Sequence, residues 1–327
     1  MIVAGDIGGT HTRMGAFSGG PASPKLDRWQ EFKSKDYDSM EKIVEEFLSG
    51  GDQGTKPAAF CFGVAGPVVD GTARPTNLPW ELVAAKMTES LGAPVLLIND
   101  LEANAYGVAT LGSEDLVTLQ EGAAKEHGNA AVISAGTGLG EAGLFWDGSS
   151  HRPFASEGGH CTFSPDTAEQ VDLLTFLRKK FPDHVSWERV LSGPGLYNVY
   201  QFFRDTGQAA EEPWLAQQLA TGDVAAGITD AAEHGKSELC EKAMTLFVAL
   251  YGSEAANLAL KMLSVAGVYI GGGIAPHMLG KLKEGPFLEA FLAKGRMRSV
   301  LERMPIHVIM NDKTALQGAA RRGMLAI

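Results

Sequence analysis

Short apolar runs alternate with stretches of helical spacing over the first third of the chain. Residues 1–9 and 12–17 meet at a glycine turn and predict a β-hairpin, and residues 26–33 predict a third strand. Residues 39–48 place Met40, Ile43, Val44, Phe47 and Leu48 at the spacing of a helix with one buried face. Residues 58–64 and 94–98 read as buried strands. A helix is predicted over 80–91, stopped by Gly92 and Pro94, and another over 101–111. This order indicates a mixed sheet with helices on its faces.

The pattern then starts again. Residues 129–146 read as a second hairpin opening a second sheet. A helix over 166–181 follows Pro165, and residues 194–263 are almost all helical, most strongly over 244–263. Residues 265–270 return to strand and run into Gly271-Gly272-Gly273, with a helix near Pro276. A last strand is predicted over 305–310 and a last helix, amphipathic and basic toward its end, over 313–325. No linker divides the chain, and the hinge is placed near residue 110. A terminal helix needs a partner for its apolar face. The expected domains are therefore residues 1–109 with 305–327, a small α/β domain, and residues 110–304, a large α/β domain with a helical insertion.

Composition narrows the class. The 327 residues are 45% hydrophobic and 20% charged, ordinary for a globular protein with ample core. A net charge of -11 disfavours nonspecific binding to nucleic acid or to an anionic membrane. Cys61, Cys161 and Cys240 have no metal-ligand spacing and make no obvious disulfide set, which fits a reducing compartment. The strand pattern begins at once and leaves no room for a signal peptide. The longest apolar stretch is placed around 262–275, broken by glycines and too short to span a bilayer. A cytoplasmic location is expected.

The 40 glycines exceed the usual share of about 7% and cluster at turns. Gly5-Asp6-Ile7-Gly8-Gly9-Thr10 and Ser134-Ala135-Gly136-Thr137-Gly138-Leu139-Gly140 are near-repeats, each strand, glycine turn, strand. Glycines let backbone N–H groups approach an anion, so two such hairpins suggest a shared polyphosphate; plain glycine turns fit equally well for either copy alone. Neither hairpin opens a helix, as a dinucleotide fingerprint requires. Gly235-Lys236-Ser237 has the tail of a P-loop, but Asp230 stands where its first glycine belongs.

Other polar sets sit between the glycine turns. Asp6 beside the first turn has the chemistry to hold Mg²⁺ through water, and Thr10 to donate to a phosphate oxygen. Asn99-Asp100 ends a buried strand, where α/β folds place ligands. Asp100 has the chemistry of a base for a substrate hydroxyl, or of a helix N-cap. Glu157-Gly158-Gly159-His160 reads as a tight polar turn or as a set of partners for sugar hydroxyls. Glu188, before Ser192-Gly193-Pro194-Gly195, is a further candidate carboxylate, and Gly272-Gly273 offers bare backbone to a flat ring.

Taken in order, these motifs resemble the bacterial glucokinase family of the hexokinase and actin-like ATPase superfamily, over nearly the whole chain. Besides the two turns, with Arg13 after the first, the resemblance is carried by Asn99-Asp100, Ser156-Glu157-Gly158-Gly159-His160, Glu188-Arg189-Val190-Leu191-Ser192-Gly193 and Gly267-Val268-Tyr269-Ile270-Gly271-Gly272-Gly273-Ile274. It implies an α/β, two-lobed actin-like ATPase (ribonuclease H-like) fold, with a mixed sheet in each lobe and a cleft between. It implies ATP-dependent phosphorylation of D-glucose to glucose 6-phosphate; a kinase for another hexose or a silent sugar-binding regulator are the alternatives. ATP and Mg²⁺ are then held by Gly5, Asp6, Ile7, Gly8, Gly9, Thr10, Gly136, Thr137, Gly138, Gly272 and Gly273, with Asp6 toward the metal. Asp100 is the catalytic base, and Asn99, Asp100, Glu157, His160 and Glu188 bind the hexose. A homodimer is implied. His11-Thr12 stands where relatives often have Asn-Ala. Cys161-Thr162-Phe163-Ser164 lacks the cysteine-rich zinc motif of the related ROK proteins, so no structural zinc is expected.

Overall fold

The apolar runs at the start of the chain become the interior of a five-stranded sheet. In the computed structural model, which describes all residues except 52–55, 76, 124 and 126, β1 (Ile2–Ile7) and β2 (His11–Gly20) form the hairpin, and β3 (Ser23–Lys33) pairs with β2. β4 (Ala59–Val64) runs parallel to β1. Three two-residue strands, β5 (Val68–Val69), β6 (Thr72–Ala73) and β7 (Leu82–Val83), make a separate small sheet, and β8 (Val95–Asn99) runs parallel to β4. The spatial order is β3-β2-β1-β4-β8. β1 and β4 are largely covered on both faces, which is why their sequences are apolar apart from Asp6; edge strand β3 is mostly exposed or half-buried.

Helix α1 (Met40–Ser49) covers one face by inserting Met40, Ile43, Val44 and Phe47 beside Val3, Ile7, Phe60 and Phe62. α2 (Ala84–Leu91) starts four residues later than its sequence pattern predicts. Leu82 and Val83 are drawn into the small sheet, while Trp80 is buried with its indole N–H donating to the Tyr37 carbonyl at 3.1 Å. The other face is covered by α3 (Asp100–Val108) and the C-terminal helix Thr314–Met324, which pack Ala103, Ala315, Leu316 and Ala319 on Ala4, Phe17, Cys61 and Ile98.

The second sheet contains β9 (Leu116–Gln120), β10 (Ala130–Ala135), β11 (Leu139–Trp146), β12 (His151–Ser156), β13 (Gly267–Gly271) and β14 (Ile306–Ile309), in the order β12-β11-β10-β13-β14-β9. The series β11-β10-β13-β14 repeats β2-β1-β4-β8: a hairpin whose first strand is extended by two parallel strands. Edge strands β9 and β12 are absent from the hydrophobic pattern because neither is fully buried and neither makes an apolar run. Helices α4 (Ala168–Lys180), α5 (Gly193–Asp205), α6 (Pro213–Thr221), α7 (Val224–Glu233) and α8 (Glu238–Met262) supply the helical stretch. Among the described residues, the helix long and apolar enough to cross a membrane is α8, which ends where the stretch 262–275 begins. It has 25 residues and contains an 18-residue stretch of mean hydropathy 1.3, which matches a membrane-crossing helix by length and composition. It is instead wrapped by protein, with Ala243, Phe247, Leu250, Tyr251 and Ala255 in the core.

The chain divides into two compact units, Met1–Asp115 with Arg152–Ala155 and Asn311–Ile327, and Leu116–His151 with Ser156–Met310. Residues 305–327 therefore do not stay together. Ile306 and Val308 are buried in the second sheet by pairing with β13 and β9, and only the segment from Asn311 joins the first unit.

The C-terminal helix meets α3 at backbone distance. A Cβ on Gly318 would collide with the Ala103 carbonyl, and one on Gly107 with the Thr314 carbonyl. Gly318→Val should therefore lower stability by roughly 1–3 kcal/mol through overpacking. Urea denaturation checks this; an unchanged midpoint would show that the helices separate freely.

Candidate active site

Strand register places the polar sets of the first unit along one edge. Ile7 pairs with Val64, and Val64 with Asn99. The glycine turn after β1 and Asn99-Asp100 after β8 thus leave the same carboxyl edge, with β4 between them, the position at which parallel sheets offer ligand sites. Gly63 on β4 shows how close they are: an added Cβ there would lie 3.7 Å from the Gly5 carbonyl oxygen and 3.8 Å from Asp100 Cα.

The first turn is tightly held. The Gly8 N–H donates to the His11 carbonyl at 3.0 Å, and a Cβ on Gly8 would stand 2.9 Å from that oxygen. A Cβ on Gly5 would press on Phe62 at 2.8 Å. Ser34, which the sequence pattern does not single out, is buried behind the turn. Its Oγ donates to the Gly8 carbonyl at 2.8 Å and lies 3.0 Å from Thr12 Oγ1, and its N–H donates to the Thr10 carbonyl. Thr10 is exposed and Gly9 half-exposed. Burial raises the Asp6 carboxyl above its ordinary range, opposed by the Arg13 guanidinium. Arg13 is itself fixed by Glu31 at 2.9 Å and by the Asp312 carbonyl at 2.9 Å.

The helix cap is Asn99, not Asp100. Asn99 Oδ1 accepts from the N–H groups of Leu101 and Glu102 at 2.8 and 3.3 Å, and its Nδ2 donates to the Gly66 carbonyl at 3.1 Å. Asp100 is the first helical residue, half-buried, with Oδ1 accepting from the Leu101 N–H at 2.9 Å. Capping thus falls to the neighbour.

In the second unit, the turn after β10 and the turn after β13 meet. Gly272 has φ +85° and lies against the Ala135 carbonyl, where a Cβ would collide; glycine is required on both counts. The Gly136 carbonyl accepts from the Gly193 N–H at 2.8 Å, docking the start of α5. Glu188 is drawn to the same hairpin: its Oε2 accepts from the Leu139 N–H at 3.0 Å, and a Cβ on Gly138 would stand 2.6 Å from that oxygen. Tyr251 of α8 backs the strand ends. Its buried hydroxyl accepts from the Ala135 N–H at 3.2 Å and lies 3.3 Å from the carbonyls of Ile133 and Gly271.

These turns open into a cavity of about 800 Å³. Gly136, Thr137 and Gly273 line it; Gly138 and Gly272 do not. Its walls are Tyr197 of α5, Ile274, His277 and one side of α7, including Val224, Ala225 and Ala226. No motif marks that wall: in sequence, α7 is one more alanine-rich helix. Its volume is within the usual range for small-molecule sites. Asp230 and Lys236, from the rejected P-loop segment, pair at 2.9 Å at the end of α7. Apart from this cavity, Glu157 precedes the one-turn helix Gly158–His160 and His160 ends it. Both are exposed, with His160 Nε2 and Glu157 Oε2 3.9 Å apart, and the His160 carbonyl meets His184 Nε2 at 3.0 Å.

The family model described as Glucokinase matches residues 3–325. A glucokinase of Nostoc sp. is 40% identical, with 98% of each chain covered. Among solved structures, a glucokinase from an Antarctic psychrotroph superposes with a TM-score of 0.86 at 32% identity, covering 98% of each chain. A ROK family glucokinase from Streptomyces griseus, solved with glucose and AMPPNP, has a TM-score of 0.67 at 21% identity, covering 99% of both chains, and shares the fold. The fold is the two-domain actin-like ATPase α/β fold.

Three substitutions test the local architecture. Asn99→Ala should cost about 1–2 kcal/mol through the lost cap, and Asp100→Asn much less. Tyr251→Phe should cost about 1–3 kcal/mol by leaving the buried Ala135 N–H unpaired. Thermal denaturation checks all three; equal effects at 99 and 100 would refute the capping assignment.

Proposed function

The chain belongs to the glucokinase family, and from that premise we propose that it transfers the γ-phosphoryl group of ATP to the 6-hydroxyl of D-glucose, giving glucose 6-phosphate and ADP. The observation that carries this reading is the family match over residues 3–325. The half-buried Asp100 at a strand end supports it.

Phosphoryl transfer asks a protein chiefly for positioning and charge stabilisation. Asp100 is the base. One of its oxygens is oriented by the Leu101 N–H, and the carboxylate takes the proton of the 6-hydroxyl as that oxygen bonds to phosphorus and the bond to the β-phosphate oxygen breaks. Asn99, Glu157, His160 and Glu188 bind the hexose, with Asn99 also holding α3 in place. The backbone of Gly5, Asp6, Ile7, Gly8 and Gly9 with Thr10, and of Gly136, Thr137 and Gly138, holds phosphate. Gly272 and Gly273 with the cavity lined by Tyr197, Ala225 and Ile274 take the nucleoside.

Asp6 suits Mg²⁺. This metal binds through one or two carboxylates plus substrate phosphates, and Asp6 is a single carboxylate whose burial disfavours its charge until a cation offsets it. Bound there, Mg²⁺ would neutralise charge on the transferring phosphate. The family resemblance also gives a homodimer, which sedimentation analysis would read.

A coupled assay with ATP and a panel of hexoses tests the function. Glucose should be the preferred acceptor, and strong preference for another sugar would overturn that assignment. Asp100→Asn should lower kcat by about 10²–10⁴-fold while glucose binding persists; wild-type turnover would remove Asp100 from the role. Ala226→Trp, on the exposed cavity wall, should raise the KM for ATP with little change in that for glucose.

A further inference from the structure

The proposed reaction makes no use of two buried acidic residues, Glu141, which lies under the loop that carries Glu157 and His160, and Glu254. Glu141 stands opposite Ile133 in the β10–β11 ladder, and the Ile133 carbonyl accepts at 3.3 Å from the hydroxyl of Tyr251, one turn before Glu254 on α8. Glu141 of β11 is 2% exposed and Glu254 of α8 is 0% exposed. Each has one oxygen, Oε1, that no hydrogen bond satisfies. Glu254 Oε2 accepts from Asn257 at 2.7 Å. Two ionised carboxylates offer only acceptors, so they cannot bond each other unless one keeps a proton. Buried charge without such a partner is costly.

The surrounding charges do not neutralise both. Lys261 Nζ, further along α8 and largely exposed, is 3.8 Å from Glu254 Oε1. Lys294 is taken up by Ser253 at 3.0 Å and is influenced by Asp166 as well as by Glu254. Tyr251, on the same helix, is neutral. Burial raises Glu141 far above the ordinary carboxylate range, Glu254 adds to this and Lys261 opposes it; Glu254 is raised as well, again by burial.

The pair bears directly on the loop. A Cβ on Gly158 would run into the Glu141 carboxyl, and one on Gly159 into the Leu139 carbonyl, so the loop rests on β11 with no side chain between. The Glu141 carbonyl also accepts from Ser156 Oγ at 2.9 Å, and Ser156 Oγ accepts from the Gly158 N–H at 3.2 Å. Any displacement of Glu141 is passed to residues 156–160.

We propose that Glu141 and Glu254 share one proton, and that this acid–carboxylate pair is the positioning support for the loop bearing Glu157 and His160. Its consequence for catalysis rests on the reading above, that this loop binds the hexose. Loss of the proton leaves two buried anions, which separate and shift Gly158.

The test compares wild type with Glu141→Gln and Glu254→Gln, whose amides donate permanently. In wild type, the KM for glucose should rise roughly threefold or more from pH 7 to 9, within the tenfold per unit that one proton allows, while the KM for ATP changes little. Either Gln variant should flatten this rise. Parallel profiles in wild type and variants, or a flat wild-type profile, would overturn the proposal. A second measurement does not depend on activity. The folded pair holds a proton that the unfolded chain releases near pH 4.5, so wild-type stability falls as pH rises from there toward the raised folded value. The melting temperature of a Gln variant relative to wild type should therefore climb across that window. A difference independent of pH would refute the shared proton whatever the substrate. Failure to phosphorylate glucose at any pH, with this stability signature present, would instead count against the proposed function. If neither variant folds, a pH-dependent glucose KM in wild type with a constant ATP KM supports the pair, and a flat one sinks it.

Discussion

In each unit the inner strand of a hairpin is paired in parallel with the next strand of the sheet, and this pairing decides where the glycine turns and Asn99-Asp100 end up. Parallel strands all finish at one edge. Once β1 is in register with β4 and β4 with β8, the turn after Ile7 and the Asn99-Asp100 strand end must emerge side by side. The pairing of β10 with β13 does the same for Gly136 and Gly272. A one-residue slip would turn Ile7 and Val64 out of the core, so hydrophobic burial enforces the register that the chemistry needs.

Crowding at these edges accounts for many of the glycines. Gly8 is required by the His11 carbonyl and Gly272 by the Ala135 carbonyl together with its positive φ, while a side chain at Gly138 would push the Glu188 carboxylate off the Leu139 N–H. At Gly8 the demand is for space, whereas Gly272 needs space and a left-handed backbone. Polar groups do the remaining work. Ser34 ties down the first turn, Tyr251 bridges the strand ends behind the second, and Asn99 caps α3, leaving Asp100 as the first helical residue.

Helix α8 connects several of these roles. Tyr251 and Glu254, three residues apart and so on one face, serve the hairpin end and the buried acidic pair respectively. A helix of this length and hydropathy would suit a membrane if judged alone. Its buried Tyr251 and Glu254 face protein instead, where the tyrosine hydroxyl finds three backbone partners and the glutamate finds Asn257.

The strands, the two hairpins, most of the helices and the order of the motifs were legible because each depends on neighbours in the chain. Apolar runs mark strands buried on both faces, 3.6-residue spacing marks helices, and glycines mark turns. The edge strands β9 and β12 were not legible, since half-exposed strands make no apolar run. Leu82 and Val83 had helical spacing but were claimed by a small sheet. The sequence pattern held Asp100 to be either cap or base, and only the fold showed Asn99 taking the cap. The cavity wall on α7, the Ser34 clamp and the Glu141–Glu254 pair had no local signature, because residues far apart in sequence create them. By itself the sequence determined where the chain turns, which faces are apolar and which polar groups stand at strand ends. Tertiary structure alone decided which of those polar groups are buried, and against what. The cost of burying a donor, an acceptor or a charge is set by the groups packed around it, and those come from the whole chain.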